Sequence, residues 1–163
     1  MKTRSKIGKA AFSLVELVVV IVIIGIIAAM AIPRFSRGTA GASDSVLTGS
    51  LSIMRNAIHM YYAEHNSTYP TETNFAAQLT TYSSVVGAVS TTRTPACQFG
   101  PYLAAIPACP VGDQTAPTAV AFDDTSPPSV TADTGGWIYN EDTGEILANT
   151  NLTDQGGTAY NTY

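Results

Sequence analysis

The hydrophobic residues of this chain are concentrated in one continuous run near its beginning. Residues 12–32 read FSLVELVVVIVIIGIIAAMAI and contain one charged residue, Glu16. A helix of this length would span about 30 Å, which is close to the hydrocarbon thickness of a bilayer. The run therefore predicts a helix that can sit in a membrane, followed by a more polar body.

A second hydrophobic pattern follows, with helical rather than continuous spacing. Its members recur at steps of three and four residues, which places them on one face of a helix: Leu47, Leu51, Met54, Ile58, Tyr61 and His65. We expect a globular head to cover this face. Pro33 lacks a backbone donor and predicts a kink or a loosened turn between the two stretches. The helix should end near His65, because Pro70 disfavours helical geometry at the preceding residue.

The remainder, residues 66–163, predicts a small β-rich head. Short apolar and Thr-rich runs at 85–89, 117–122, 136–140 and 145–148 are typical of strands. The last two predict a hairpin, with Gly144 free to adopt a positive φ. A short helix is expected from Glu72 to Leu79, capped by Thr71 or Thr73, and Trp137 is the expected core anchor. The predicted fold class is α+β, a long N-terminal helix packed on a small antiparallel sheet.

The charge distribution sets the basic beginning of the chain apart from its acidic body. The first eleven residues carry four basic side chains and no acid: Lys2, Arg4, Lys6 and Lys9. Such a cluster stays on the cytoplasmic side of a first membrane helix, so the body should face outward. Without the cluster, four basic residues remain against twelve acidic ones, a net formal charge of −8. This balance argues against nucleic acid as a direct partner.

The residues around Glu16 carry a family resemblance. The stretch GKAAFSLVELVVVIVIIGIIAAMAIP resembles the N-terminus of a type IV pilin or of a type II secretion pseudopilin. The resemblance implies cleavage between Ala11 and Phe12 by a prepilin peptidase and methylation of the new amine of Phe12. It also implies assembly roles for Phe12, Glu16 and Pro33. Ala11 departs from the family pattern, which usually has Gly before the cut.

The resemblance and the patterns together divide the chain into four parts. These are a cleaved basic leader (1–11), a hydrophobic transmembrane and assembly helix (12–33), an amphipathic helix half packed on the head (34–65), and the head itself (66–163). In a bundle of such helices Glu16 would be buried, and an amine at Phe12 of a neighbouring copy would offset its charge. The alternative is that Glu16 merely compensates the dipole at the N-terminus of its helix.

Two further groups of residues are candidate sites in the head. Cys97 and Cys109 are the chain's two cysteines, and an even number in an exported body favours a disulfide between them. Four acidic residues offer oxygen ligands of the kind that calcium uses, although they follow no known loop spacing: Asp123, Asp124, Asp133 and Asp142. No other cofactor is expected. No nucleophile, base and acid arrangement is apparent, so we expect no enzymatic activity.

The favoured interpretation is a structural subunit of a type IV pilus-like filament that serves adhesion, motility or DNA uptake. Its partners would be copies of itself, the prepilin peptidase, the inner-membrane assembly platform and, before assembly, the membrane. It would move from the inner membrane to an extracellular filament. One alternative is a pseudopilin in a periplasmic pseudopilus. Others are a membrane-anchored binding module, and a conventional secretory signal that is removed whole.

Overall fold

The computed structural model describes residues 13–112, 114–131 and 136–163, with the side chains of residues 31–40 excepted. Ala11, Phe12 and Asp133 lie outside the described residues, as does the side chain of Pro33. The chain divides into two compact units, Met1–Thr39 and Ala40–Tyr163. The second unit contains a helical segment, two small sheets and the loops that connect them, which agrees with the predicted α+β class.

Helix α1 spans Leu14–Glu64 and is assigned without a break through Pro33. Its C-terminal end is where the sequence predicted, one residue before His65. Two consecutive residues just beyond the end adopt the left-handed conformation, Asn66 with φ 53° and Ser67 with φ 59°. A left-handed residue cannot continue a right-handed helix, so the chain leaves the helix axis at this point.

The inner face of α1 forms one side of the core of the second unit. The predicted stripe is confirmed, since none of its members is more than 2 % exposed. It packs against Phe75, Leu79, Trp137 and Tyr139. The apolar residues spaced three and four apart are therefore the ones through which α1 packs on the rest of the unit.

A short helical segment lies against this core. It begins as a 3-10 turn, Glu72–Asn74, and continues as helix α2, Phe75–Thr80. The predicted side-chain cap is wrong, because neither Thr71 nor Thr73 caps these turns through its hydroxyl. Instead, the backbone N–H of Thr71 donates to Gln78 Oε1 at 2.8 Å. A buried glutamine on α2 thus takes the place of the expected cap.

The strands form two sheets. β1 (Tyr82–Ser83) pairs antiparallel with β2 (Val89–Ser90). The second sheet has the order β3 (Val120–Phe122), β4 (Trp137–Tyr139) and β5 (Ile146–Ala148). The β4–β5 pair is antiparallel, but β3 pairs parallel with β4, so the antiparallel prediction is wrong for that pair. Residues 123–136 connect β3 to β4. A connection of this length allows the chain to enter β4 in the same direction as β3, whereas a tight hairpin would reverse it.

The run at 85–89 was predicted as a strand, but most of it forms the turn between β1 and β2. Gly87 has φ +82° and its N–H donates to Ser84 O at 2.8 Å. A Cβ at Gly87 would lie 2.8 Å from the Tyr61 hydroxyl oxygen. The turn therefore requires glycine both for its conformation and for its close contact with α1.

The predicted hairpin and core anchor are confirmed. Trp137 pairs with Ala148 and Tyr139 with Ile146 across the β4–β5 ladder. Gly144 in the connecting turn has φ +73°. Trp137 is fully buried and its Nε1 donates to Pro107 O at 2.8 Å. The indole therefore fills the core without leaving its polar atom unpaired.

Gly136, immediately before β4, should not tolerate a side chain. A Cβ there would overlap Pro117 O, a backbone atom that the Cys109 N–H also binds. We expect Gly136→Ala to lower the free energy of unfolding by about 1–3 kcal/mol, measured by chemical denaturation of the solubilised protein. Gly41→Ala is the matched control, because nothing lies within 4 Å of its Cβ and α1 should gain up to about 1 kcal/mol. Equal stability of the two variants would contradict the packing described for Gly136.

Candidate assembly site

The first part of α1 carries an unusually apolar and exposed surface. Leu14 and Met30 are 77 % and 67 % exposed, and the large apolar side chains between them are exposed as well. Glu16 lies in the first turn of the helix and is also exposed. In the part of the chain that the structure describes, no helix combines enough length with enough apolar character to cross a membrane. An apolar surface of this extent marks a site of contact with a membrane or with another protein.

The outer face of α1 in the second unit carries a regular apolar stripe, formed by Val46, Ile53 and Met60. These three residues are seven apart and are 54 %, 57 % and 56 % exposed. Small or short side chains alternate with them on the same face, and all are exposed: Ala42, Gly49, Asn56 and Ala63. A spacing of seven residues is typical of a seam along which two helices pack side by side. Small residues in such a seam allow the helix backbones to approach closely.

The charged side chains of this helical segment point away from the stripe and into the head. Tyr160 donates to Asp44 Oδ1 at 2.7 Å, and Tyr102 donates to Glu64 Oε2 at 2.5 Å. Arg55 donates to Ile146 O and to Tyr163 O, at 3.2 Å and 2.8 Å. Between Ser45 and Ala63 no exposed residue is Asp, Glu, Lys or Arg. A helix face in permanent contact with water normally carries charges, so this face is suited to burial.

The contacts of Asp44 and Arg55 also fasten the last residues of the chain to α1. Tyr160 begins a 3-10 turn, Tyr160–Thr162, and its ring packs in the core. The hydrogen bond to Asp44 raises the pKa of Tyr160 to about 12. Nearby, Tyr163 donates to Asp154 Oδ2 at 2.6 Å, and the Thr158 N–H donates to Asp154 Oδ1 at 2.8 Å. These bonds hold the final loop in place, and those to Asp44 and Arg55 keep these two charges off the outer face of α1.

The Asp154 contacts should make the final loop sensitive to acid. The hydrogen bond from Tyr163 comes first among the causes that lower the pKa of Asp154 below its usual 3.8. Because the folded-state pKa is the lower one, the stabilisation is present above the unfolded pKa and is lost as pH falls through the folded value. We expect the Thr158 amide resonance to titrate with a midpoint below 3.8, and Asp154→Asn to abolish that titration. A midpoint at or above the usual value would contradict the assignment.

The predicted disulfide is absent from the structure, in which Cys97 and Cys109 are both buried free thiols. The two residues lie in different parts of the head. Cys97 lies beside the β1–β2 turn, with its thiol 3.6 Å from Ala88 O. Cys109 lies beside Gly136 at the start of β4, with its thiol 3.3 Å from Val111 O. Burial raises the pKa of the Cys109 thiol, which makes it a poor nucleophile.

The described acidic candidates do not form a calcium site. Among the residues that the structure describes, no group of three or more His, Cys, Asp and Glu is arranged to hold a metal. Asp123 accepts the backbone N–H groups of Thr125 and Ser129, at 2.7 Å and 3.2 Å. These bonds lower its pKa. Asp124 and Asp142 are exposed, and the N–H of Asp142 donates to Asn140 Oδ1 in the turn before Gly144.

Sequence reasoning identified Glu16 and the inner face of α1 but missed the outer stripe. The signal was available, because Val46, Ile53 and Met60 recur every seven residues. It was hidden by the stronger pattern of the inner face, which shares the same turns of helix. The inward direction of Asp44 and Arg55 had no signal in the sequence, since their partners lie on distant parts of the chain.

Comparison with known proteins agrees with the character of these surfaces. The family described as "Prokaryotic N-terminal methylation motif" matches residues 7–32, which include the predicted cleavage position and the whole apolar run. No curated protein and no solved structure matches the chain. The motif is the hallmark of type IV pilin and pseudopilin precursors, and this chain carries it at residues 7–32.

Proposed function

We propose that this protein is the structural subunit of a type IV pilus-like filament and polymerises through α1. The observation that carries the proposal is the outer face of α1, where an apolar stripe is exposed and the nearby charged side chains point into the head. A domain that used its N-terminus only as an anchor would have no need of such a face. A subunit surrounded by parallel copies of the same helix would bury it.

The proposed maturation begins with removal of residues 1–11 by a prepilin peptidase. Cleavage between Ala11 and Phe12 would give Phe12 a free amine, which is then methylated. In the filament this amine would lie beside Glu16 of a neighbouring copy, so that the two charges compensate each other in apolar surroundings. The pairing would also fix the axial register between copies. Before assembly, residues 12–33 would hold the precursor in the inner membrane.

The methylation motif occurs in both pilins and pseudopilins, so a second candidate function is a pseudopilin of a type II secretion system. A pilus subunit would leave the inner membrane through an assembly platform and reach the cell surface, where filaments serve adhesion, motility or DNA uptake. A pseudopilin would remain in the periplasm as part of a short pseudopilus. We favour the pilus subunit, in line with the long Thr-rich loop region of the head.

No catalytic role is part of the proposal. One arrangement resembles a nucleophile and its base, since His65 Nε2 lies 2.9 Å from Ser83 Oγ. Both residues are buried, however, at 1 % and 0 % exposure. The other nitrogen of His65 pairs with the backbone carbonyl of Tyr61 at 2.7 Å rather than with a carboxylate. The pair therefore satisfies two buried polar groups and lacks the carboxylate that would orient a catalytic histidine.

Deletion of the host's prepilin peptidase gene tests the proposal. We expect the intact precursor to accumulate in the inner membrane and surface filaments to disappear. Reintroducing the peptidase should restore both cleavage and filaments. If deleting the gene for this chain stops protein secretion but leaves surface filaments intact, the pseudopilin function replaces the pilus function. Normal filaments containing this chain in the absence of the peptidase would contradict both.

A further inference from the structure

The head contains a cavity that the filament function does not use. It measures about 290 Å³ and lies between the end of α1, the segment 66–71 and the β1–β2 turn. Its size is close to the lower limit of small-molecule sites, about 300 Å³, and suits one ring rather than an extended ligand. Val85 and Val86 of its lining are 41 % and 82 % exposed. The cavity thus has an apolar lip that solvent can reach.

The lining of the cavity is polar but carries no formal charge. It contains hydroxyl, phenol and amide groups and no Asp, Glu, Lys or Arg. Its histidine, His65, has both ring nitrogens engaged with Tyr61 O and Ser83 Oγ. A charged ligand would therefore lose its hydration without gaining an ion pair. The lining favours a neutral ligand that has many hydrogen-bonding groups.

The polar groups of the cavity are held in fixed positions. Gln78 Oε1 accepts the Thr71 N–H at 2.8 Å, and Gln78 Nε2 donates to Gly87 O at 3.1 Å. The ring of Tyr61 stacks on His65 with a centroid distance of 3.6 Å and an interplanar angle of 5°. A site whose walls are already ordered loses little entropy when a ligand binds.

The Tyr61 hydroxyl is the lining group that is free to bind a ligand. The residue is 2 % exposed, and no hydrogen bond joins its hydroxyl to another residue in the described part of the chain, although this hydroxyl is not sealed from solvent as that of Tyr139 is. The absence of a side chain at Gly87 keeps the space beside it open, because a Cβ there would lie 2.8 Å from the hydroxyl oxygen. Solvent in the cavity therefore reaches the hydroxyl, and a ligand hydroxyl can replace that water as its hydrogen-bond partner. Burial also raises the pKa of Tyr61 to about 12, so the group remains a neutral donor.

We propose that this cavity binds a single neutral hexopyranose unit. The ring hydroxyls of such a sugar would bond to the Tyr61 hydroxyl and to the polar side chains of Asn66 and Thr68, which line the cavity. Its C–H face would lie against Tyr69 and the valine lip, which are aromatic and aliphatic. The inference does not depend on filament assembly, because every lining residue belongs to one copy of the chain.

Titration followed by ¹⁵N NMR tests the proposal on the full chain. The protein is solubilised in dodecylphosphocholine, because a detergent with a sugar head group would compete for the cavity. The probes are methyl glucoside, methyl galactoside, methyl mannoside and methyl N-acetylglucosaminide, with methyl glucuronide as the charged comparison. We expect at least one neutral glycoside to shift the amides of residues 66–71 and 87, with a dissociation constant on the order of millimolar.

Three variants make the result specific. Tyr61→Phe removes one hydroxyl and should weaken binding about 5-fold to 10-fold. Tyr139→Phe is its matched control, because Tyr139 is not part of the cavity lining and its buried hydroxyl has no partner among the described residues; binding should not change. Val86→Asp alters the exposed lip without touching the core and should also weaken binding. The proposal is overturned if no neutral glycoside shifts these amides, if Tyr61→Phe binds as well as the unmodified chain, or if the glucuronide binds equally tightly.

Discussion

Replacing Glu16 by Ala should abolish filament assembly while leaving the protein cleaved and present in the inner membrane. In the proposed filament the Glu16 carboxylate compensates the amine at Phe12 of a neighbouring copy. Removing one partner of a buried ion pair leaves an uncompensated charge and costs about 3–5 kcal/mol per contact. Because each subunit adds the same contact, the loss repeats along the filament. The measurement is the yield of sheared filaments, compared with the amount of cleaved subunit in the membrane.

If Glu16 only compensates the helix dipole, the expected loss of filaments is much smaller. A dipole contact in the first turn contributes about 0.3–1 kcal/mol, so Glu16→Ala would reduce filament yield only modestly. Glu16→Gln further distinguishes the ion-pair role from the dipole role, because it keeps the side-chain shape and removes the charge that the ion pair needs. Glu72→Ala is the control for loss of one exposed acid from the head. Filaments at normal yield in Glu16→Gln would rule out the ion pair.

Replacing Ile53 by Asp should have the second largest effect on assembly. Ile53 is the centre of the outer stripe and is 57 % exposed in the single chain. An aspartate there should change the stability of the head by no more than about 0.5 kcal/mol. Between packed helices, however, the carboxylate would be buried without a partner, at a cost of several kcal/mol. We expect soluble or membrane-bound subunits of normal stability and at least a 10-fold loss of filaments.

Leu152→Asp is the matched control for this variant. Leu152 is 58 % exposed, nearly the same as Ile53, but it lies near the end of the chain and not on α1. A general effect of an added surface charge would lower filament yield equally in both variants. If Leu152→Asp and Ile53→Asp give the same filament yield, the outer stripe is not an assembly surface.

The parts of the fold that were predicted correctly depend on short-range patterns. Steps of three and four residues identified the buried face of α1, and the two short runs around Gly144 identified the β4–β5 hairpin. Both signals lie within a few turns or one loop of sequence. The end of α1 was also local, since breaker residues follow it directly.

The parts that were missed depend on long-range contacts. The parallel pairing of β3 with β4 depends on the path of the chain between them, which no local pattern encodes. The run at 85–89 is apolar enough for a strand, but Gly87 must turn there to pack against Tyr61. The cysteine count favoured a bridge, yet the two thiols lie in different parts of the head. Long-range contacts also decide the candidate site. The outer stripe is free of charges because Asp44 and Arg55 bind residues near the end of the chain, and no local pattern predicts those contacts.

The central claim is that the chain is cleaved before Phe12 and built into a filament. The most direct test is mass spectrometry of the protein sheared from the cell surface, combined with electron microscopy of the same fraction. The account predicts a species that begins at Phe12, carries one additional methyl group and is found in long filaments. A surface fraction without filaments, together with an intact chain from Met1 to Tyr163 in the membrane, would contradict it.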